Sequence, residues 1–367
     1  MNKYRVILLG AFLGFWAVFG GVLIGQGAIP LVLLLSIAVL SVLAVFDWVN
    51  KNPIDKKALV LPVFVFLLAI VVSIAKNGFT GYQAFFYGAG VLVFMLSASA
   101  QDLQKPLSVA AWVWLVGSLG MIAAGYFDDR NLIGYWGAFF ALLMFARRGP
   151  WRIASTLPFV GMLVLSGSRG AVIAMGAGLV ALYWPQLWAR KKLLFSVGAV
   201  SAIGLAALVL LRVGTSNSRL YYWEASTQLF FTHPLAGVGP GGILSQRLIP
   251  DVGVHRAYIS LGLDGQMMGS ALTELQPGSE GLRTYAPHAH NLFFQVLAEM
   301  GLVGMAALAF SGWWLWRKRT EIHLEGWQRA TIAAALAHSM VDLPLWWFGP
   351  LLVFMAVLGS VKTENKP

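Results

Sequence analysis

The chain has 367 residues, 58% of them hydrophobic and only 11% charged, and its 26 Lys and Arg outnumber 15 Asp and Glu for a formal charge of +11. A soluble domain is nearer half apolar and a quarter charged, so this chain cannot hide its apolar surface from water, and a bilayer is its natural solvent. The basic residues fall in short clusters between apolar stretches, which is how membrane proteins hold their topology rather than a sign of nucleic-acid binding; with no cysteine, disulfides and thiolate metal sites are excluded.

The first apolar run, Val6 to Ile24, follows Met-Asn-Lys-Tyr-Arg. It is longer than a signal-peptide core and lacks a clean small-x-small cleavage site after it, so it reads as a retained first helix. A spanning helix needs about 20 apolar residues. Twelve candidates follow one another near 6–25, 28–46, 57–75, 83–100, 107–126, 131–146, 153–167, 170–188, 193–212, 291–316, 327–343 and 345–361. The expectation is an all-α integral membrane protein of about twelve transmembrane helices. With the N-terminus inside and strict alternation, the inner segments hold 18 of the 26 Lys and Arg, among them Arg147, Arg148, Arg190, Lys191, Lys192, Arg317 and Lys318. The short outer connections carry almost none, as the positive-inside rule requires.

One long polar segment, 212–290, interrupts the rhythm between helices nine and ten and lies outside by this count. Long connections without obvious regular structure tend to be functional. Arg219, Trp223, Ser226 and Phe230 are spaced for one face of an amphipathic helix lying on the membrane, and the Pro-Gly-rich stretch from Pro234 to Gly242 ends it. The run GVGPGG at 237–242 has no Lys-Ser/Thr ending and is not a P-loop.

Three groups of residues have the chemistry of a site. The sequence HNLFFQVLAEMGLVG places His290 and Asn291 where the outer loop meets helix ten. An imidazole there can take a proton from an incoming hydroxyl at neutral pH, and Gly301 and Gly304 would let another helix approach closely. An interfacial histidine with packing glycines fits the same residues. Glu299 lies nine residues after His290, about 180° round an ideal helix, so it is expected to pair with another helix instead. Arg169, in the tight turn Ser166-Gly167-Ser168-Arg169-Gly170, and Arg219 both fall at the outer face. A guanidinium grips phosphate oxygens in a planar fork and keeps its charge, so the pair suits a lipid-linked phosphate or pyrophosphate; ordinary phospholipid headgroups would satisfy each alone. His338 and Asp342 are spaced i,i+4 on helix eleven, before Pro344, Trp346 and Trp347. A catalytic role and a structural His–Asp bond between helices are both open for them. His288-Ala289-His290, with no carboxylate or Cys cluster beside it, is weak evidence for a metal, and no metal or cofactor is expected.

At these residues the sequence resembles the O-antigen ligase and polymerase superfamily of bacterial envelopes. The HN-x9-G-xx-G pattern at 290–304, SRGA at Ser168–Ala171, and R-xxx-W…HP-x-x-GVGPG at Arg219–Gly241 carry the resemblance, and AHSMVDLPLWW at 337–347 resembles the branch that glycosylates protein hydroxyls. Together they cover about 155–350, dividing the chain into N-terminal transmembrane helices (1–152) and a catalytic membrane region (153–361) that contains the loop 212–290.

The resemblance implies a metal-independent, inverting glycosyltransferase of the bacterial inner membrane. Its donor would be a glycan on undecaprenyl pyrophosphate at the periplasmic face, and its acceptor a hydroxyl of lipid A-core, a growing glycan or a protein. Carried over, His290 would activate the acceptor and Arg169 and Arg219 would hold the pyrophosphate, with Trp223, Asn291, His338 and Asp342 as substrate-binding residues. A polymerase of repeat units is the nearest alternative. A transporter or flippase of lipid-linked glycan is the rival of another class, but no half-to-half repeat supports it.

Overall fold

In the computed structural model the described residues are 3–19, 57–78, 83–98, 103–124, 130–147, 149–190, 213–245 and 288–363. The predicted spans at 28–46 and 193–212, and most of the long loop, lie outside them. The described chain is almost wholly helical. In order it forms α1 (Lys3–Phe19), α2 (Lys57–Asn77), α3 (Gln83–Ala98), α4 (Gln104–Ala123), α5 (Arg130–Phe145), α6 (Arg152–Ser166), α7 (Arg169–Leu182), α8 (Trp184–Ala189), α9 (Val213–Thr232), α10 (Gly242–Ser245), α11 (Leu292–Arg317), α12 (Gly326–Ser339) and α13 (Phe348–Gly359). Leu59–Asn77, Gln104–Ala123 and Leu292–Arg317 are long and apolar enough to cross a membrane; shorter apolar helices include Arg152–Ser166 and Arg169–Leu182.

Four predicted spans are interrupted or shortened. The expected helix 170–188 divides into α7 and α8 because Pro185, at the second position of α8, has no N–H to continue the ladder. The helix expected over 327–343 stops at Ser339, and the last begins only at Phe348, after a 3₁₀ turn at Pro344–Trp346. The long helix α11 is broken at Gly301, whose φ of 58° and ψ of −148° are open only to glycine.

The helices pack pairwise: α5 on α6, α7 on α12 and α2 on α11 run antiparallel, whereas α1 lies parallel to α4 and α3 parallel to α13. Between α5, α7 and α12 the contact is made by Ala138, Ala171, Ala174, Ala330 and Ala334, and Gly137 lies directly on the backbone of Phe159 and Leu163. Small residues let helix backbones approach closely where no hydrophobic effect drives them together. Next to this seam an aromatic cluster fills the bundle centre: Trp136 stacks on Phe140 at 5.0 Å and 11°, and Trp114 stacks on Phe159 at 6.2 Å. Facing outward are Phe64, Leu68 and Val71 on α2 and Val164 and Leu165 on α6, all more than half exposed. Such apolar surface belongs in lipid.

Contacts at the two ends agree with alternating directions. At one end Ser168 Oγ donates to Asn131 Oδ1 at 3.0 Å, and Asn77 reaches the carbonyl of Gly237 at 3.0 Å. At the other, Ile322–His323 pairs antiparallel with Lys362–Thr363, and Lys362 lies 3.4 Å from Glu325. The segments counted as outer meet outer ones, and inner meet inner.

Candidate active site

The start of α11 is built as a clamp. Asn291 is its N-cap: Oδ1 accepts from the amides of Phe293 (2.9 Å) and Phe294 (3.4 Å), two of the donors a helix start leaves unpaired. Its Nδ2 donates to the carbonyl of Met340 at 2.7 Å, joining α11 to the end of α12. One turn on, buried Gln295 accepts from the amide of Ala289 at 2.7 Å, and the His290 amide donates to His288 Nδ1 at 3.2 Å. Between these ties His290 has a φ of 52°, the one positive φ outside glycine among the described residues. A left-handed residue of this kind costs of order 1–3 kcal/mol and persists only where the surroundings enforce it.

The clamp sets the imidazole against Asp342. His290 Nδ1 lies 2.9 Å from Asp342 Oδ1, which also accepts from the Leu343 amide at 2.8 Å. A carboxylate can only accept, so Nδ1 carries the proton and the lone pair of the neutral ring is on Nε2. The rings of Tyr222 and His288 lie 4.9 Å and 4.2 Å from the His290 ring. The result is an oriented imidazole with a carboxylate behind it, the arrangement that makes a histidine a directed general base. Asp342 was singled out in the sequence, but as the i,i+4 neighbour of His338; its bond to a histidine 52 residues away had no local signal. Instead, His338 is fully buried, packed against Gly170 and 5.6 Å from the ring of Tyr135.

Both arginine segments come to this place. The turn of Ser166–Arg169 forms as expected: Gly167 is left-handed at φ 60°, and Ser168 caps α7 by accepting from the Ala171 amide at 3.3 Å. Arg169 opens α7, and its neighbour Gly170 rests on His338, one turn from Asp342. On α9, Arg219 is three residues, close to one turn, before Tyr222. Trp223 stacks on Phe294 of α11 at 5.2 Å and 9°. The expected helix over this segment is present and ends at Thr232, before Pro234. Its buried side, Tyr222, Ala225, Ser226 and Leu229, packs against α11.

The Pro-Gly stretch that follows α9 inserts into the break in α11. The amides of Val238 and Gly239 donate to the carbonyls of Ala298 and Glu299 at 3.0 and 2.9 Å, and the amides of Leu302 and Val303 donate to Pro234 and Leu235 at 2.8 and 3.1 Å. Glu299, expected to pair with a helix, instead accepts from the Gly241 amide at 2.8 Å. The glycines are there for backbone contact: a Cβ on Gly301 would stand 2.5 Å from the Pro234 carbonyl, and one on Gly237 would strike Glu299. Gly301 therefore admits a loop, whereas the sequence suggested a helix; Gly304 packs on the Met300 and Val296 side chains of its own helix.

Residues 154–309 match the family model described as O-antigen ligase. Over this stretch, which is under half of the chain, it is similar to the O-antigen ligases. No curated protein and no solved structure matches it. The matched stretch takes in Arg169, Arg219, Trp223, His290, Asn291 and the Gly301 break, while His338 and Asp342 lie beyond its end and are brought back by α12. One further arrangement bears on chemistry. A ligand-type atom from each of His288, His290 and Asp342 lies within 4.8 Å of the other two, close enough to hold a metal ion. The carboxylate that the HAH sequence lacked is thus supplied by Asp342.

Proposed function

We propose that this O-antigen ligase-type membrane enzyme moves a glycan from undecaprenyl pyrophosphate to an acceptor hydroxyl at the periplasmic face of the inner membrane. The observation that carries the proposal is the His290–Asp342 pair at 2.9 Å, within contact of the helix that bears Arg219. In the proposed step, His290 Nε2 takes the proton of the acceptor hydroxyl as its oxygen attacks the anomeric carbon from the side opposite the pyrophosphate. The carbon–oxygen bond to phosphate breaks, and the anomeric configuration inverts. Undecaprenyl pyrophosphate leaves with the bond electrons, its charge met by Arg169 and Arg219. Asp342 holds the Nδ1 proton and supports the imidazolium that forms. Electrostatic stabilisation of the leaving group is the larger contribution, and the positioned base adds typically 10²–10⁴-fold.

Three acceptors are compatible with this chemistry: lipid A-core, a growing glycan, in which case the chain is a polymerase, and a protein Ser or Thr. The deciding experiment incubates the detergent-purified chain with a lipid-linked glycan and each acceptor, without nucleotide. Transfer to one acceptor, lost in His290→Ala, is the expected result; no transfer to any would overturn the proposal. The His288, His290 and Asp342 cluster favours a second reading, in which a divalent ion activates the hydroxyl. The bonds already made by His290 Nδ1 and Asp342 Oδ1 favour the metal-free one. Activity that persists in excess EDTA is expected; activity lost on chelation and restored by a divalent ion would establish the metal reading.

A further inference from the structure

The loop from His233 to Gly241 carries backbone into the interior of the helix bundle, beside a break in α11 nine residues from its start. Backbone that leaves regular structure at such depth is stable only if protein groups satisfy it. Here they do. Besides the four backbone bonds across the break, Ser73 Oγ meets the carbonyls of Ala236 (2.6 Å) and Glu299 (2.9 Å), and Asn77 Nδ2 donates to Gly237 at 3.0 Å. Glu299, fully buried, is the one acidic side chain in this junction, and its bond to the Gly241 amide secures the far end of the loop.

The loop begins immediately after α9, the helix that carries Arg219, Tyr222 and Trp223. Across from it, α11 begins at the clamp that orients His290. The junction is therefore the fixed point between the two elements that hold the base and one of the arginines. We propose that Glu299 is a positioning residue of the glycan-transfer site. By fastening the 233–241 loop into the break of α11, it holds α9 at the distance where Tyr222 covers His290 and Arg219 serves the same site. This rests on the transfer reading for its kinetic consequence but not for its geometry.

When α9 is loosened, the arrangement competent for donor becomes a fraction of the population, and apparent affinity falls by that fraction while the saturated rate changes little. In detergent-purified full-length protein, Glu299→Ala should raise the KM for lipid-linked glycan about tenfold with kcat within about twofold. Glu299→Gln keeps an oxygen that accepts from Gly241 and should restore both to near wild type. The chain's lack of cysteine permits a readout independent of activity: spin labels at Gln228→Cys on α9 and Phe293→Cys on α11, both exposed positions, should give a broadened distance distribution in Glu299→Ala and a narrow one in Glu299→Gln. If Glu299→Ala does not yield folded protein, Ser73→Ala, which removes two bonds of the same junction, should raise KM in the same direction.

A fall in melting temperature with unchanged KM and an unchanged distance distribution would reduce Glu299 to a structural residue and overturn the proposal. So would a failure of Glu299→Gln to restore the distribution, or a loss confined to kcat. If the wild-type chain does not transfer from lipid-linked glycan, the functional reading fails, and the spin-label comparison still decides whether Glu299 positions α9.

Discussion

His290 is held on three sides: by Asp342 at Nδ1, by Tyr222, and by His288. Removing the ring should therefore leave the neighbourhood of the arginines intact. His290→Ala is expected to abolish transfer while leaving donor binding largely unchanged, because a neutral imidazole offers little to a pyrophosphate; the loss should be typically 10²–10⁴-fold in single-turnover rate. Arg219→Ala should weaken donor binding and the chemical step together, since its guanidinium would meet phosphate both before and during departure. Arg219→Lys keeps charge without the fork and should recover only part. Should His290→Ala lose donor binding yet transfer normally at saturating donor, the base assignment is wrong. Asp342→Asn tests the pairing itself. An amide can donate to Nδ1 and so place the ring proton on Nε2, where it blocks the base; a fall in kcat of about 10²–10⁴-fold with donor binding retained is expected. An Asp342→Asn enzyme with the wild-type rate would remove Asp342 from the mechanism. The sequence singled out His290 and Arg169 because each stands at a helix start, and Arg219, which lies within α9, because the charge count put it on the same side. It did not point to Asp342 as the partner of His290, since the i,i+4 spacing with His338 offered a nearer one; in the folded chain His338 stays beside Asp342 while packing on Gly170 and Tyr135.

The helix α11 illustrates what periodicity conceals. Its 26 residues read as one apolar span, and only Gly301, with its positive φ, betrays the break. Hydropathy averages over such a point, and a glycine in an apolar helix more often marks close helix packing. Two substitutions in this one helix separate the cases. Gly301→Ala forces a side chain into a glycine-only conformation, costing of order 1–3 kcal/mol, and sets its Cβ 2.5 Å from the Pro234 carbonyl. It should fail to give monodisperse protein, or melt well below wild type. Gly312→Ala meets nothing within 4 Å and should be neutral or stabilising by up to about 1 kcal/mol, through helix propensity alone. Equal melting curves for the two variants would mean that the break does not constrain the helix.

For the chain as a whole, the count of Lys and Arg predicts that reporter fusions at Gly149 report inside and at Gly262 outside. A cytoplasmic Gly262 would overturn the periplasmic placement of the site. The contacts between chain ends bear on the same question, because the strand pair Ile322–His323 with Lys362–Thr363 holds two segments assigned to the inner side together. Of the twelve predicted spans, those near 57–75, 83–100, 107–126, 131–146 and 153–167 have described helices within a few residues of the expected ends. The least accurate boundaries are those set by proline and by the site, at Pro185, Pro344 and Ser339, where local chemistry ends a helix although hydropathy continues.

The junction at Gly301 also bears on how such a chain can change over time. Just before residues 246–287 the Gly241 amide is tied to Glu299, and just after them the Ala289 amide is tied to Gln295, on the same stretch of α11. Both ends of that segment are thus anchored about one helical turn apart. Because Glu299 and Gln295 lie about one turn apart on one helix, anything that shifts this stretch of α11 moves the 233–241 loop and the His290 clamp together. A substitution there acts on both at once, and a lineage can keep the chemistry only by keeping the two anchors in step.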